Sequence, residues 1–236
     1  MVVACLLLAG IAGCGGSDEQ DAGGGSGTTA ESTSTPADTG GATSTPEDTG
    51  GEQEGCPAAE QPPPKESKLP RPDAQLNPAK TYVATVKTSC GTFEITLDAK
   101  RAPKTGGSFK FLADKEFFDD LTFHRIVPGF VIQGGDPLGT GAGGPGYEIV
   151  EKPPKGLRYT KGVVAMAKTS TDPSGTSGSQ FFVVTAPDAQ LPPQYALVGK
   201  VSGGQDVVDM IGVEPVGANE DPATPIVIDS IRVAAR

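Results

Sequence analysis

The chain has 236 residues, of which 33 are Gly and 22 are Pro. That is nearly a quarter of the chain, against about 12% for these two types in average proteins. With 36% hydrophobic residues, no Trp and a net charge of −10, the mixture excludes a membrane bundle, a coiled coil and a single compact domain of this length; it fits one globular domain joined to a long unfolded segment.

A division near residue 80 separates the two parts. Residues 1–80 hold 4 Lys/Arg and 12 Asp/Glu, a net of −8, whereas residues 81–236 hold 15 and 17, a net of −2. Among the larger apolar and aromatic types, residues 15–80 contain only Leu69 and Leu76. So little apolar surface cannot offset an ordering cost of roughly 1–2 kcal/mol per residue, and residues 14–80 are expected to be a disordered acidic tether. Residues 81–236 are long enough for one good core and form the expected domain. A near-neutral domain behind an acidic tail lacks the basic footprint of a nucleic-acid binder.

Val2 to Ile11 is an almost continuous apolar run, too short to cross a bilayer as a helix, which needs about 20 residues. It ends in Ile11-Ala12-Gly13-Cys14, small residues before a cysteine, and polar sequence follows at once. This resembles the lipobox of bacterial lipoprotein signal peptides. The resemblance implies a signal peptide over residues 1–13, cleavage before Cys14, lipid on its sulfur and an extracytoplasmic, membrane-anchored location. A short buried strand or a plain hydrophobic leader is the alternative. In the tether, Thr35-Pro36-Ala37-Asp38-Thr39-Gly40-Gly41 is nearly repeated as Thr45-Pro46-Glu47-Asp48-Thr49-Gly50-Gly51. Neither copy has an apolar face, so the repeat reads as a spacer and not a solenoid.

Four cysteines are present. Cys5 lies in the leader and Cys14 is the lipid candidate. Cys56 and Cys90 remain, and an even pair in an oxidising compartment suggests a disulfide; two free thiols are the alternative.

Within the domain, Tyr82–Thr88 and Thr92–Leu97 alternate apolar and polar residues as half-buried strands do, with Ser89-Cys90-Gly91 turning between them. Pro103 suits the first turn of a helix, and Phe109, Leu112 and Ala113 recur at helical spacing. Thr122–Ile126 and Phe130–Gln133 predict strands around a Val127-Pro128-Gly129 turn, and Val163–Ala167, Gln180–Thr185 and Leu197–Val201 predict three more. Gln205–Ile211 predicts a second helix and Ile226–Val233 a closing strand. About eight short strands and two helices without βαβ alternation point to an antiparallel barrel capped by helices.

Several catalytic patterns fail. Gly139-Thr140-Gly141-Ala142-Gly143-Gly144 fits G-x-G-x-x-G, but Pro145-Gly146 and then Glu151-Lys152-Pro153-Pro154 follow in place of a helix; it is expected to be a flexible loop. His124 is the only histidine, and no G-x-S-x-G elbow accompanies it. One His with scattered acids does not supply a metal site, so no metal and no cofactor is expected. Asp119-Asp120 reads as a solvated turn pair, and the Lys and Asp of the loop 168–180 as solvent-facing.

What remains is Phe123-His124-Arg125-Ile126-Val127-Pro128-Gly129-Phe130-Val131-Ile132-Gln133-Gly134-Gly135-Asp136, followed by Ala165-Met166-Ala167 and Gly178-Ser179-Gln180-Phe181-Phe182. Arg125 and Gln133 are polar residues inside apolar strands. If the first stretch alternates, Arg125 shares a face with Phe123, where an unpaired charge would be costly. These segments, in this order, resemble the two signatures of the cyclophilin family of peptidyl-prolyl cis–trans isomerases, and the resemblance covers residues 81–234. It implies an eight-stranded antiparallel barrel capped by two helices. It further implies that Arg125 is the catalytic arginine and that Gln133 orients it. Phe130, Val131, Met166, Phe182, Leu191 and Tyr195 would form an apolar proline pocket. Ala167 and Lys168 would hold the peptide through backbone, Gln180 would line the adjoining groove, and His124 would flank the site.

The chemistry is consistent with such a set. The X-Pro amide resists rotation by about 20 kcal/mol because its C–N bond has partial double-bond character. Twisting leaves a lone pair on the proline nitrogen, and a guanidinium aimed there, or at the neighbouring carbonyl, favours the twisted state alone. The resemblance thus implies an isomerase acting on proline-containing polypeptides in exported proteins, working as a monomer and assisting their folding. The alternative is a proline-peptide scaffold with weak turnover, motivated by Gln190 standing where relatives often carry Trp; Tyr195 likewise replaces a frequent His.

Overall fold

The computed structural model describes residues 55–236. The proposed signal peptide, Cys5, Cys14 and the repeats of the tether lie outside the described residues.

Strands β1 (Tyr82–Thr88) and β2 (Gly91–Leu97) form a hairpin. Thr88 shapes its turn: the hydroxyl donates to the Gly91 carbonyl at 2.8 Å and accepts the Cys90 N–H at 3.1 Å. Helix α1 (Pro103–Asp114) starts at Pro103 and buries Phe109, Leu112 and Ala113. Its first free N–H groups, those of Lys104 and Thr105, donate to the Glu151 carboxylate at 3.1 and 2.7 Å, a cap supplied from 46–47 residues away. There follow β3 (Leu121–Thr122), β4 (Arg125–Val127), β5 (Val131–Gly134), β6 (Ile149–Val150), β7 (Val163–Met166), β8 (Thr176–Ser177), β9 (Phe181–Val184), β10 (Leu197–Gly203), α2 (Gln205–Ile211) and β11 (Val227–Ala235).

Nine strands make one antiparallel sheet in the order β3-β11-β1-β2-β10-β7-β9-β5-β4; β6 and β8 pair separately. The two edge strands, β3 and β4, are joined through only Phe123 and His124, so the sheet curls until its edges meet. The sequence predicts one strand over 122–126 where the structure has two. β3 pairs with β11, β4 with β5, and between them the Phe123 N–H donates to Ile226 O at 2.9 Å. The break also separates Phe123 from Arg125. Phe123 turns into the core against Phe93 and Phe181, while Arg125 stays partly exposed. Asp119, expected to face solvent, pairs with Arg232 at 2.6 Å.

From β4 through β5, β9 and β7 the alternation divides two apolar clusters. Ile126, Ile132, Phe181, Val183, Val164 and Met166 point into the main core. Val131, Phe182, Val184, Val163 and Ala165 point the other way, into a smaller cluster on the outer face.

Residues 55–80, read from composition as part of a disordered tether, instead form a strap along the domain. Leu76 is buried, and exposure alternates along 65–69 and 72–76. The N–H groups of Lys65, Leu69 and Leu76 donate to Pro137, Pro145 and Pro103 carbonyls at 2.9, 2.8 and 3.0 Å. A disulfide joins Cys56 to Cys90, Cα–Cα 4.6 Å, so the folded unit begins well before residue 81. Composition missed this because backbone hydrogen bonds and a covalent link supply what apolar side chains do not. Gly106 and Gly107 in α1 make the room: a Cβ on Gly107 would run into the Ala74 carbonyl, and one on Gly106 into Leu76. Gly107→Ala should therefore lose about 1–3 kcal/mol to overpacking, although Ala in a helix interior normally gains about 1 kcal/mol over Gly. Denaturant unfolding reads the sign, and a stability gain would show that the strap does not seat on α1.

Candidate active site

Directly opposed residues of antiparallel strands share a face. Arg125 opposes Gln133, Gln133 opposes Phe182, Phe182 opposes Ala165, and Ala165 opposes Leu197. One row across five strands thus runs from a cation through an amide to an aromatic ring, all on the outer face of the sheet. Arg125 and Gln133, eight residues apart, are brought together by the tight β4–β5 hairpin; Phe182 arrives from a strand nearly fifty residues later.

The polar end is a directional chain of hydrogen bonds. Arg125 Nη1 donates to Gln133 Oε1 at 3.3 Å, Gln133 Nε2 to Gln180 Oε1 at 3.0 Å, and Gln180 Nε2 to the carbonyls of Gly141 and Gly143, each at 2.9 Å. Guanidinium has no acceptor, so its presence sets which way both amides face. Arg125 Nε also donates to Glu220 Oε2 at 2.6 Å.

The apolar end is built around Phe182 and Val131. Phe130, Leu191, Tyr195 and Ala167, each partly exposed, pack against the buried cluster that contains that pair. Tyr195 meets Phe182 edge-on, centroids 5.4 Å apart. Beneath them lies Tyr159, fully buried, which the sequence reading does not include. Its hydroxyl donates to Tyr195 O at 2.7 Å and accepts the Tyr195 N–H at 3.0 Å, so it locks the backbone that carries Tyr195. Burial pushes the Tyr159 hydroxyl up to about 12, which keeps it protonated and able to donate. The only sequence signal is an isolated aromatic between Arg158 and Thr160.

Met166 is a correction. It opposes Phe181 on β9, not Phe182, and its side chain is buried in the main core. Ala165 and Ala167 occupy the outer-face positions on either side of it. Strand period two, applied to Val163–Ala167, places Met166 on the inner face.

Next to this patch lies a cavity of about 810 Å³. Gln133, Gln180, Ala167 and Lys168 stand on its near side, the loop 141–148 lines another, and Ser67 and Lys68 of the strap contribute a further wall. The Gly-rich loop, expected to be flexible, is held by Asp136. This buried carboxylate accepts the N–H groups of Leu138 at 2.8 Å, Thr140 at 2.9 Å and Gly141 at 2.5 Å. Lys168, expected to face solvent, donates to Thr169 O at 2.9 Å and Asp172 O at 3.1 Å and lies 5.7 Å from the Tyr195 ring centroid, between cavity and patch.

His124 sits in the link between β3 and β4. Both ring nitrogens are buried, and no hydrogen bond of good geometry reaches either among the described residues. Burial holds its pKa below 6.5; the Asp136 charge opposes this shift and the neighbouring Arg125 adds to it. The unfolded chain, with His near 6.5, therefore binds the proton first as pH falls. This contribution to stability is complete above that pH, declines as pH drops below it, and stops changing once the folded-state value is passed. Unfolding measured from pH 7.5 to 5 should show a loss in the natural protein that His124→Asn lacks; equal slopes in the two proteins would contradict it.

Comparison with known proteins shows the family. Residues 83–233 match the family model described as cyclophilin type peptidyl-prolyl cis-trans isomerase/CLD. The chain is 38% identical over 177 residues to peptidyl-prolyl cis-trans isomerase B of Streptomyces anulatus, covering 67% of this chain and 99% of the relative. It is 40% identical over 152 residues to peptidyl-prolyl cis-trans isomerase-like 1 of Neurospora crassa, covering 63% and 91%. A crystal structure of a Cryptosporidium parvum cyclophilin type isomerase in the presence of the dipeptide Ala-Pro superposes with a TM-score of 0.61 at 30% identity, covering 65% of this chain and 99% of that one. With a family model matching residues 83–233 and a relative 38% identical, the chain belongs to the cyclophilin-type peptidyl-prolyl cis–trans isomerases.

Proposed function

We propose that this isomerase acts outside the cytoplasm on proline-containing segments of exported proteins, held to a bacterial membrane through lipid on Cys14. The observation that carries the catalytic reading is the Arg125–Gln133–Phe182 row, which sets a permanent cation beside an apolar patch. The pyrrolidine ring rests on Phe130, Val131, Phe182, Leu191 and Tyr195, and the preceding residue lies along Ala167 and Lys168. Arg125 then donates to the proline nitrogen or its neighbouring carbonyl as the amide twists, and Gln133 holds the guanidinium in line. The planar amide offers no localised lone pair, so the contact favours the twisted state. Export is supported by the apolar run ending at Cys14 and by the Cys56–Cys90 disulfide, a bond that persists in oxidising compartments.

Two experiments test the reading. Cis-to-trans conversion of a proline peptide, followed by a protease that cuts only the trans form, should accelerate with added protein; binding without rate gain would favour the scaffold alternative. Labelled palmitate should be incorporated in a bacterial host and lost in Cys14→Ala; no label in the natural chain would remove the anchor.

A further inference from the structure

Glu220 lies 95 residues after Arg125, on the loop between α2 and β11, yet its carboxylate meets the Arg125 Nε at 2.6 Å. Its backbone is in the left-handed region, φ +64°, which a side chain other than Gly adopts at a cost. The loop enforces that conformation. Gly217 N–H donates to Asp221 O at 2.7 Å, Glu220 N–H to Gly217 O at 3.1 Å, and Val216 bridges Pro222. The Glu220 carbonyl in turn accepts the Ile126 N–H at 2.7 Å, which ties the loop to the residue after Arg125.

Stability does not account for this arrangement. The two side chains are 38% and 44% exposed, so solvent screens the pair and its contribution to folding is small. Gly would satisfy the backbone without strain. A strained residue carrying the one carboxylate that, among the described residues, pairs with the site's cation requires a reason in the site.

We propose that Glu220 is a positioning residue for the Arg125 guanidinium. The inference rests on Arg125 being the catalytic cation. Guanidinium is planar and carries five N–H groups. The bond to Gln133 alone, at 3.3 Å, leaves it free to rotate about its long stem. The Glu220 oxygen captures the Nε–H from the loop side while Gln133 captures an Nη1–H from the sheet side. Held at both points, the plane is fixed and three N–H groups remain for the twisting amide. The hydrogen bond does this work and the negative charge does not: a carboxylate beside Arg125 diminishes the field that the amide feels. An uncharged acceptor of the same length should therefore serve as well.

The test uses the full chain and the proline-peptide assay, with kcat and KM separated. Glu220→Gly should lower kcat about tenfold or more and change KM less than about twofold, because misplacing a catalytic group acts mainly on the transition state. The same variant should melt at or above the natural temperature, since Gly relieves the strain. Glu220→Gln should keep kcat at or above the natural value. In an Arg125→Ala background Glu220→Gly should change nothing further, whereas a structural role would still lower the rate. Full kcat in Glu220→Gly, or a loss in Glu220→Gln equal to that in Glu220→Gly, would overturn the proposal. If Arg125→Ala itself keeps full turnover, the catalytic reading of Arg125 fails; if Arg125→Ala loses turnover and Glu220→Gly does not, only the role of Glu220 fails.

Discussion

Arg125→Ala is expected to lower kcat/KM for proline peptides by about two to three orders of magnitude, the effect of deleting one preorganised donor to developing charge. That corresponds to about 3–4 kcal/mol of transition-state stabilisation, since each factor of ten is about 1.4 kcal/mol. The fold should survive. Arg125 is partly exposed, its partners Glu220 and Gln133 are also in reach of water, and neither is left buried without a partner. Arg125→Lys should recover little, because a lysine offers one point charge in place of a plane held at Nε and Nη1. The protease-coupled rate and a thermal melt on the same sample check both halves. Unchanged turnover with an unchanged melt would remove Arg125 from the mechanism.

Cys90→Ser has the largest expected effect on stability. The disulfide closes a loop with a sequence separation of 34, and the chain-entropy relation puts its contribution near 4 kcal/mol, with measured values usually 2–4. For a folded unit of this size a loss of about 3 kcal/mol lowers the melting temperature by roughly 6–12 °C. The strap should loosen first. Its N-terminal end is otherwise held by the Cys56 N–H donating to Glu214 at 2.7 Å, and it buries only Leu76 fully. Denaturant unfolding of the natural protein with and without reductant, beside Cys90→Ser, gives the comparison. The reduced natural protein should match the variant, and a midpoint insensitive to reductant would show that the bridge contributes nothing.

Elements whose cause is local were legible in the sequence. The alternation of residues 82–88 and 92–97 appears as the β1–β2 hairpin, and the apolar spacing after Pro103 appears as α1, because strand period and helix period are written in neighbouring residues. The signature stretches placed Arg125, Gln133, Gln180 and Phe182, which the sheet register does bring together. Where local pattern misled, longer-range contacts had the decision. The 122–126 stretch looks like one strand, but β11 claims its first half and β5 its second. Met166 looks like a pocket residue by its place in a motif, and the pairing of β7 with β9 turns it inward.

The family resemblance, the domain's main body, the two helices and the catalytic candidates could be read from the chain alone, because each rests on residue types at short, fixed spacing. Three further features come from long-range packing: Glu220 grips Arg125 across 95 residues, Tyr159 props Tyr195 from below, and Gly106 and Gly107 open α1 to a strap with almost no apolar content. Those contacts join segments distant along the chain, and their stability comes from backbone groups, a covalent link and the space left by missing side chains. None of these leaves a periodic trace in the order of amino acids.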